Sequence, residues 1–275
     1  SNISFSVEQG EIFGLIGPNG AGKTTAMRCI LNFIKPTEGT ITLNGLNSIK
    51  DYLIIRNFIG YLPGEFSLYD NLNGEEYITH LLHLRNKSDK KNNLKELAKR
   101  FDLDLTKKSK QLSKGNKQKI GIIQAFCHDP EILILDEPTS GLDPLKQQEF
   151  EDLVLEFKNQ GKTVFISSHV LPEVETLCDR VAIIKNGQII AQDKMADLKK
   201  KSLNRIEVQF SEEIDKSKFG ETIGVSRITG DPNKFTFDIE GNIDKFIKEL
   251  SKYEVQNVKT IEPDLEEIFL SYYGD

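Results

Sequence analysis

Only three cysteines occur in 275 residues: Cys29, Cys127 and Cys178. None stands at metal-ligand spacing from another and each sits among apolar neighbours, so buried free thiols in a reducing compartment are expected rather than a metal site. Long apolar runs are missing too. No stretch approaches the ~20 residues needed to cross a bilayer, and the first residues carry no signal-peptide pattern. Any membrane-spanning part is therefore expected from a partner. Basic excess is also lacking: 36 Lys and Arg face 42 Asp and Glu, for a net charge of -6. That balance disfavours sustained binding to a nucleic-acid backbone. The length allows one large core, or one core with a small satellite.

What the chain does hold is a complete phosphate-binding loop, Gly17-Pro18-Asn19-Gly20-Ala21-Gly22-Lys23-Thr24-Thr25. It follows the strand-like run Ile12–Ile16 and precedes a helix expected through Thr25–Phe33. The pattern G-x-x-x-x-G-K-[ST] turns backbone N–H groups towards phosphates, with the lysine reaching the β and γ phosphates and the hydroxyl after it placed on a magnesium ion. The helix N-terminus adds its dipole. A nucleoside triphosphate is the implied ligand.

The rest of the chain divides into regions. Residues 1–70 alternate short strands, at Ile3–Val7, Ile12–Ile16, Gly39–Leu43 and Ile59–Leu62, with turns such as Asn44-Gly45. Residues 71–128 change to helical spacing, with Tyr77, Leu81, Leu82 and Leu84 on one stripe and Leu94, Leu97, Ala98 and Phe101 on another. Residues 129–200 return to α/β. Glu131–Leu135 and Thr163–Ser167 read as strands, Phe150–Phe157 and Pro172–Cys178 as helices, and Asn186-Gly187 as a hairpin turn. The lysines at 199–201 mark a boundary. Residues 205–275 read as a small α+β unit, with strands at Arg205–Phe210, Val225–Thr229, Lys234–Ile239 and Val255–Thr260 and helices at Ile243–Leu250 and Leu265–Tyr272. The expected fold class is therefore α/β, a phosphate-loop NTPase domain over residues 1–200 with a helical insertion at about 71–128, followed by an accessory unit over 205–275.

Ile132-Leu133-Ile134-Leu135-Asp136-Glu137 places two carboxylates at the end of a buried strand. A strand covered on both faces tolerates charge at its open end, near a cation. Asp136 is the expected partner of the magnesium ion, and Glu137 the group that polarises the attacking water.

Carrying these motifs in this order, the chain resembles the nucleotide-binding subunit of an ATP-binding cassette transporter. Leu112-Ser113-Lys114-Gly115-Asn116-Lys117-Gln118 is similar to the family signature, whose usual core is Leu-Ser-Gly-Gly-Gln. Ser140-Gly141-Leu142-Asp143 matches the family's dimer-interface loop, and His169 its switch histidine. The resemblance implies a dimer, with itself or a related cassette, sandwiching ATP and Mg²⁺. Residues 17–25 of one chain would grip the phosphates while Ser113 and Gly115 of the other touch the γ-phosphate. Asp143 would couple the two sites, and His169 would hold Glu137 and the water. It implies an integral-membrane permease as partner and a cytoplasmic position on the inner face of the membrane, with no nucleic acid.

Departures from the family pattern fall at four places. Lys114 and Asn116 replace a glycine and the glutamine of the signature. Gly64 stands at the position of a glutamine that reaches magnesium, with Glu65 either substituting through water or facing solvent. The family's adenine-stacking aromatic lies upstream of Ser1, and Phe5 and Phe13 read as core. The tail Pro263–Leu270 resembles exporter-type subunits of drug, antibiotic and bacteriocin-immunity systems, which tilts the expectation towards export. The alternatives are a cassette ATPase without a channel and an ATP-binding regulatory module.

Overall fold

The computed structural model describes residues 2–201, 204–220, 224–239 and 243–261. Two compact units divide after Met195.

In the first unit, β1 (Ile12–Ile16) leads through the phosphate loop into α1 (Lys23–Ile30), and a small hairpin, β2 (Thr42–Leu43) and β3 (Leu46–Asn47), follows. Then come α2 (Tyr52–Phe58), β4 (Ile59–Leu62), the helices α3 (Gly74–Leu84), α4 (Lys91–Arg100) and α5 (Lys114–Phe126), and β5 (Ile132–Asp136). The unit continues with α6 (Pro144–Asn159), β6 (Thr163–Ser168), α7 (Leu171–Leu177), β7 (Arg180–Lys185) and β8 (Gln188–Lys194). Its main sheet runs in the order β4-β5-β6-β1-β7-β8. β4 to β7 pair in parallel and β8 closes the edge antiparallel. β1 and β6 are buried at every residue, whereas β8 alternates between half-buried and exposed. This is the difference expected between strands covered on both faces and an antiparallel edge. Phe13, fully buried, stacks on Phe5 with ring centroids 5.6 Å apart and packs tilted against Phe165 at 6.0 Å. Burying a side chain of that size stabilises the sheet by roughly 2–3 kcal/mol.

The helical insertion starts on a capping box. Asn73 accepts from Glu76 N and Glu76 accepts from Asn73 N, both at 2.9 Å, which satisfies two of the donors that a helix start leaves free. The division falls at the first residue of α8 (Met195–Lys201), a few residues before the lysines at 199–201 that were expected to mark a boundary. In the second unit, β9 (Asn204–Phe210), β10 (Val225–Asp231), β11 (Lys234–Ile239) and β12 (Val255–Ile261) form an antiparallel sheet in the order β10-β11-β9-β12, with α9 (Asp244–Leu250) beside it. Phe210, Phe219, Phe235, Phe237 and Phe246 make its core. Buried Asp238 is held by Arg205 through two hydrogen bonds of 2.6 and 3.1 Å.

Two expected strands differ from the structure, and one helix was not expected: the strand expected at Gly39–Leu43 is confined to Thr42–Leu43. Ile3–Val7 keeps the alternation of half-buried Ile3, Phe5 and Val7 with exposed Ser4 and Ser6, yet it forms no strand, because no ladder partner lies beside it among the described residues. α2 had no visible helical stripe, because Leu53 and Ile54 are apolar and exposed while Ile55 is buried. The helix expected at Leu265–Tyr272 and the tail Pro263–Leu270 lie outside the described residues.

His128 follows α5 and is 2% exposed. Its Nε2 donates to the Ile59 carbonyl at 3.1 Å, and the Arg85 guanidinium lies 3.4 Å from the same nitrogen. Burial, and then the Arg85 charge, hold its pKa down at about 4. The folded chain therefore keeps the imidazole neutral while the unfolded chain protonates near pH 6.5, so stability is fully present above that value and is lost as pH falls towards 4. Urea unfolding should show a loss of about 2 kcal/mol from this group between about pH 7 and pH 5, and His128→Gln should flatten that part of the curve.

Candidate active site

β5, β6 and β1 are neighbours, and their C-terminal ends bring together Asp136-Glu137, Ser167-Ser168-His169 and the phosphate loop. In an open parallel sheet this edge is where ligands bind. The loop is braced from the far side: Gly187 N, in the β7–β8 turn, donates to Ala21 O at 2.9 Å. A side chain on Gly17 would meet the Ile184 carbonyl at 2.4 Å, so only glycine lets the loop lie this close to β7. Gly22, at φ 111°, turns the chain into α1. Pro18, Asn19, Gly20 and Thr25 are exposed, Gly22 and Thr24 half-buried, and Gly17, Ala21 and Lys23 buried.

Lys23 Nζ folds back over the loop, donating to Gly17 O at 2.7 Å and Pro18 O at 3.2 Å. It also lies 3.3 Å from Glu137 Oε1. The same carboxylate oxygen is 3.2 Å from His169 Nδ1. Thr24 Oγ1 donates to Asp136 Oδ2 at 2.7 Å. Thr24 and Asp136 thus form a pair of hard oxygen ligands. That donor set fits Mg²⁺, which takes one or two protein ligands and completes its shell with phosphate and water. Among the described residues no cluster of three or more His, Cys, Asp and Glu could hold a metal by itself. Loop, Asp136, Glu137 and His169 therefore converge in one place.

Three residues to which the motifs assigned no role hold this arrangement. Ser167 donates to Asp136 Oδ1 at 2.5 Å and accepts from Glu137 N at 3.2 Å. Glu137 itself sits at φ 48°. That left-handed backbone is uncommon outside glycine; here it is pinned by Glu137 N donating to Ser167 O and by Ser140 N donating to Glu137 O. Gln118, buried in α5, donates to Pro138 O at 2.8 Å. Glu173, buried in α7, lies under Ser168. The one available signal was polar residues on otherwise apolar faces.

Ser113, Gly115 and Asp143 stand apart from these contacts. Ser113 is exposed and caps α5 by accepting from Asn116 N at 3.2 Å. Asp143 caps α6 by accepting from Lys146 N at 3.1 Å. A side chain on Gly115 would meet the Gly141 carbonyl at 2.7 Å, so the signature-like turn and the 140–143 loop pack against each other. The stem of Lys114 lies over Gly141. Gly64 lies against Asp136, its missing side chain 3.2 Å from Oδ2, and Glu65 is exposed.

With the phosphate loop at the end of a parallel sheet and the Thr24–Asp136 and Glu137–His169 pairs beside it, the class is a phosphate-loop nucleoside triphosphatase. Residues 1–140 match the family described as ABC transporter. The chain is 36% identical over 202 residues to the ABC transporter ATP-binding protein NatA of Bacillus subtilis (strain 168), covering 72% of this chain and 82% of that one. It is 38% identical over 218 residues to the bacitracin transport ATP-binding protein BcrA of Bacillus licheniformis, covering 77% and 70%. A solved dimeric cassette, MJ0796 in a post-hydrolysis state bound to ADP and Pi, superposes with a TM-score of 0.64 at 25% identity over 70% of this chain and 89% of that one. The chain belongs to the ABC transporter family, as an ATP-binding subunit and ATPase. No helix among the described residues is long and apolar enough to cross a membrane.

Ser167→Ala should remove one partner each from buried Asp136 and from Glu137 N. A loss of about 1–3 kcal/mol in unfolding free energy is expected, read by chemical denaturation.

Proposed function

We propose that this chain hydrolyses ATP as half of a nucleotide-sandwich dimer and drives export through a separate permease. The observation that carries the reading is Glu137 Oε1 between Lys23 Nζ and His169 Nδ1, beside the Thr24–Asp136 pair. Lys23 is the group a γ-phosphate would claim, which would release Glu137 for the water. Glu137 would then orient that water and take its proton as the oxygen attacks the γ-phosphorus in line, with ADP leaving. His169, half exposed, would keep Glu137 in place. Thr24 and Asp136 would hold Mg²⁺, which together with Lys23 offsets charge on the phosphates in the transition state. Ser113 and Gly115 would close over the γ-phosphate held by the partner, with Asp143 in the loop between the two sites; their exposed or turn positions and the dimeric MJ0796 cassettes support this.

The permease would dock where α3 faces the end of α5, at a cleft of about 150 Å³ lined by Tyr77, Leu81, Arg85, Gln124 and His128. From there Tyr77 contacts Phe66 and Tyr69 at 6.0 and 6.3 Å between ring centroids. The same segment begins at Gly64, against Asp136. Backbone shape in residues 64–69 would therefore carry the coupling that a glutamine provides elsewhere. The likeness to BcrA, a bacitracin transport protein, supports a cargo of the drug, antibiotic or bacteriocin-immunity kind. Such a subunit works at the cytoplasmic face of the membrane.

Glu137→Gln should cut turnover by about 10²-fold or more while ATP still binds, and saturating ATP should then trap a dimer on size-exclusion chromatography. Equal, background turnover in parent and variant would instead make the chain a passive ATP-binding module. Lys23→Ala should weaken ATP binding roughly 10- to 100-fold, as expected for one charge-assisted contact, read by titration with a fluorescent analogue.

A further inference from the structure

Glu173 is 4% exposed and plays no part in the mechanism above. Its Oε2 lies 2.5 Å from Ser168 Oγ, while its Oε1 is buried with no hydrogen-bond partner. Ser168 Oγ in turn accepts from Val170 N at 3.0 Å and stands 3.4 Å from Val170 O. His169 is therefore the middle residue of a small ring closed by the Ser168 hydroxyl, and Glu173 is the side chain that addresses that hydroxyl from below. The Thr139 side chain, next to the 140–143 loop, lies beside the same carboxyl.

We propose that Glu173, in its neutral form, is a positioning residue that holds the Ser168–Val170 turn and so sets His169 against Glu137. This rests on the assignment of Glu137 and His169 to hydrolysis. As the acid, Glu173 donates its O–H to Ser168 Oγ, which leaves the serine proton for Val170 O and closes the ring. As the carboxylate, Glu173 turns the serine proton towards itself, and the bond to Val170 O is lost. Its second oxygen, which makes no hydrogen bond, then carries charge with only the Thr139 side chain beside the carboxyl.

The surroundings favour the acid. Burial, chiefly, raises the Glu173 pKa to about 7; the Ser168 and Thr139 hydroxyls pull it down, and Glu151 of α6 and Glu137, just after β5, push it up. The neighbouring Cys178 thiol, at the end of α7, is pushed well above its usual range by burial and stays neutral. Lys158 of α6 is the cation that acts on neighbouring Cys178, and it is engaged by Asp179 at 2.5 Å. Glu173 therefore loses its proton as pH rises through neutrality, and the turn loosens on the alkaline side.

The test is kcat and KM for ATP from about pH 6 to 9 in the parent, Glu173→Gln and Glu173→Ala, with Glu137→Gln alongside. The Gln variant keeps a neutral donor towards Ser168. It should hold kcat near neutrality and lose the parent's decline on the alkaline side. The Ala variant should lower kcat by about tenfold or more with KM nearly unchanged. Superimposable pH profiles for the parent and Glu173→Gln would overturn the proposal, and that comparison stands even if Glu173→Ala fails to fold. An inactive Glu137→Gln beside unaffected Glu173 variants sinks the positioning role alone. Full turnover in Glu137→Gln sinks the hydrolytic assignment, and this role with it.

Discussion

The Ser167 hydroxyl is the crosslink on which the active site depends. It reaches Asp136 on one side and the Glu137 amide on the other, so one β6 side chain fixes both the proposed metal ligand and the proposed water-activating carboxylate. The register explains why. Asp136 pairs with Ser167 across β5 and β6, and Ser168 pairs with Ile16 across β6 and β1. Three parallel strands therefore end at the same level. A carboxylate buried at that edge needs donors, and Ser167 and Thr24 supply one to each Asp136 oxygen. The left-handed turn at Glu137 is held by the same strand. Its cost, of order 1 kcal/mol or more, is sustained by contacts that fix it from both sides.

This ordering separates what the residues announced from what they concealed. The phosphate loop, the acidic strand end and the Asn186-Gly187 hairpin are local patterns, each carrying its chemistry within a few residues. They could be read directly, and β1, β4, β5 and β6 lie within a residue of their expected bounds. Ser167, Gln118 and Glu173 could not. Ser167 matters because β6 lies between β1 and β5, an arrangement that joins residues 31 apart in sequence. Gln118 matters because α5 crosses the turn after β5. α2 was concealed for a different reason: a helix with apolar residues on its exposed side shows no stripe.

The departures from the usual family pattern have a physical reading as well. Lys114, where a glycine is common, uses its aliphatic stem rather than its charge, lying over Gly141. Ser113 and Gly115, on either side of it, keep the helix cap and the close approach to residue 141. Gly64 brings backbone against Asp136 where a longer side chain would have to turn aside. These substitutions leave the carboxylate edge of the sheet intact and alter what borders it. All of them lie outside the phosphate loop itself.

That separation gives the proposed dimer its logic. In a single chain, Ser113 and Asp143 spend their side chains capping their own helices, and Gly115 packs on the loop that Asp143 ends. These caps make one stiff surface, with the free amides of α5 directed outwards. Glu137 and His169 form a second, polar surface over buried Lys23, with His169 47% exposed. A γ-phosphate offers oxygens to both surfaces at once. Its arrival would bind the stiff surface of one copy to the polar surface of the other, and its cleavage would remove the shared anion. The permease would sense that change through the helical insertion, because α5 carries the cap at its start and Gln124 of the proposed docking cleft near its end. One rigid helix of thirteen residues would thus join the phosphate sensor to the surface that feels the membrane partner.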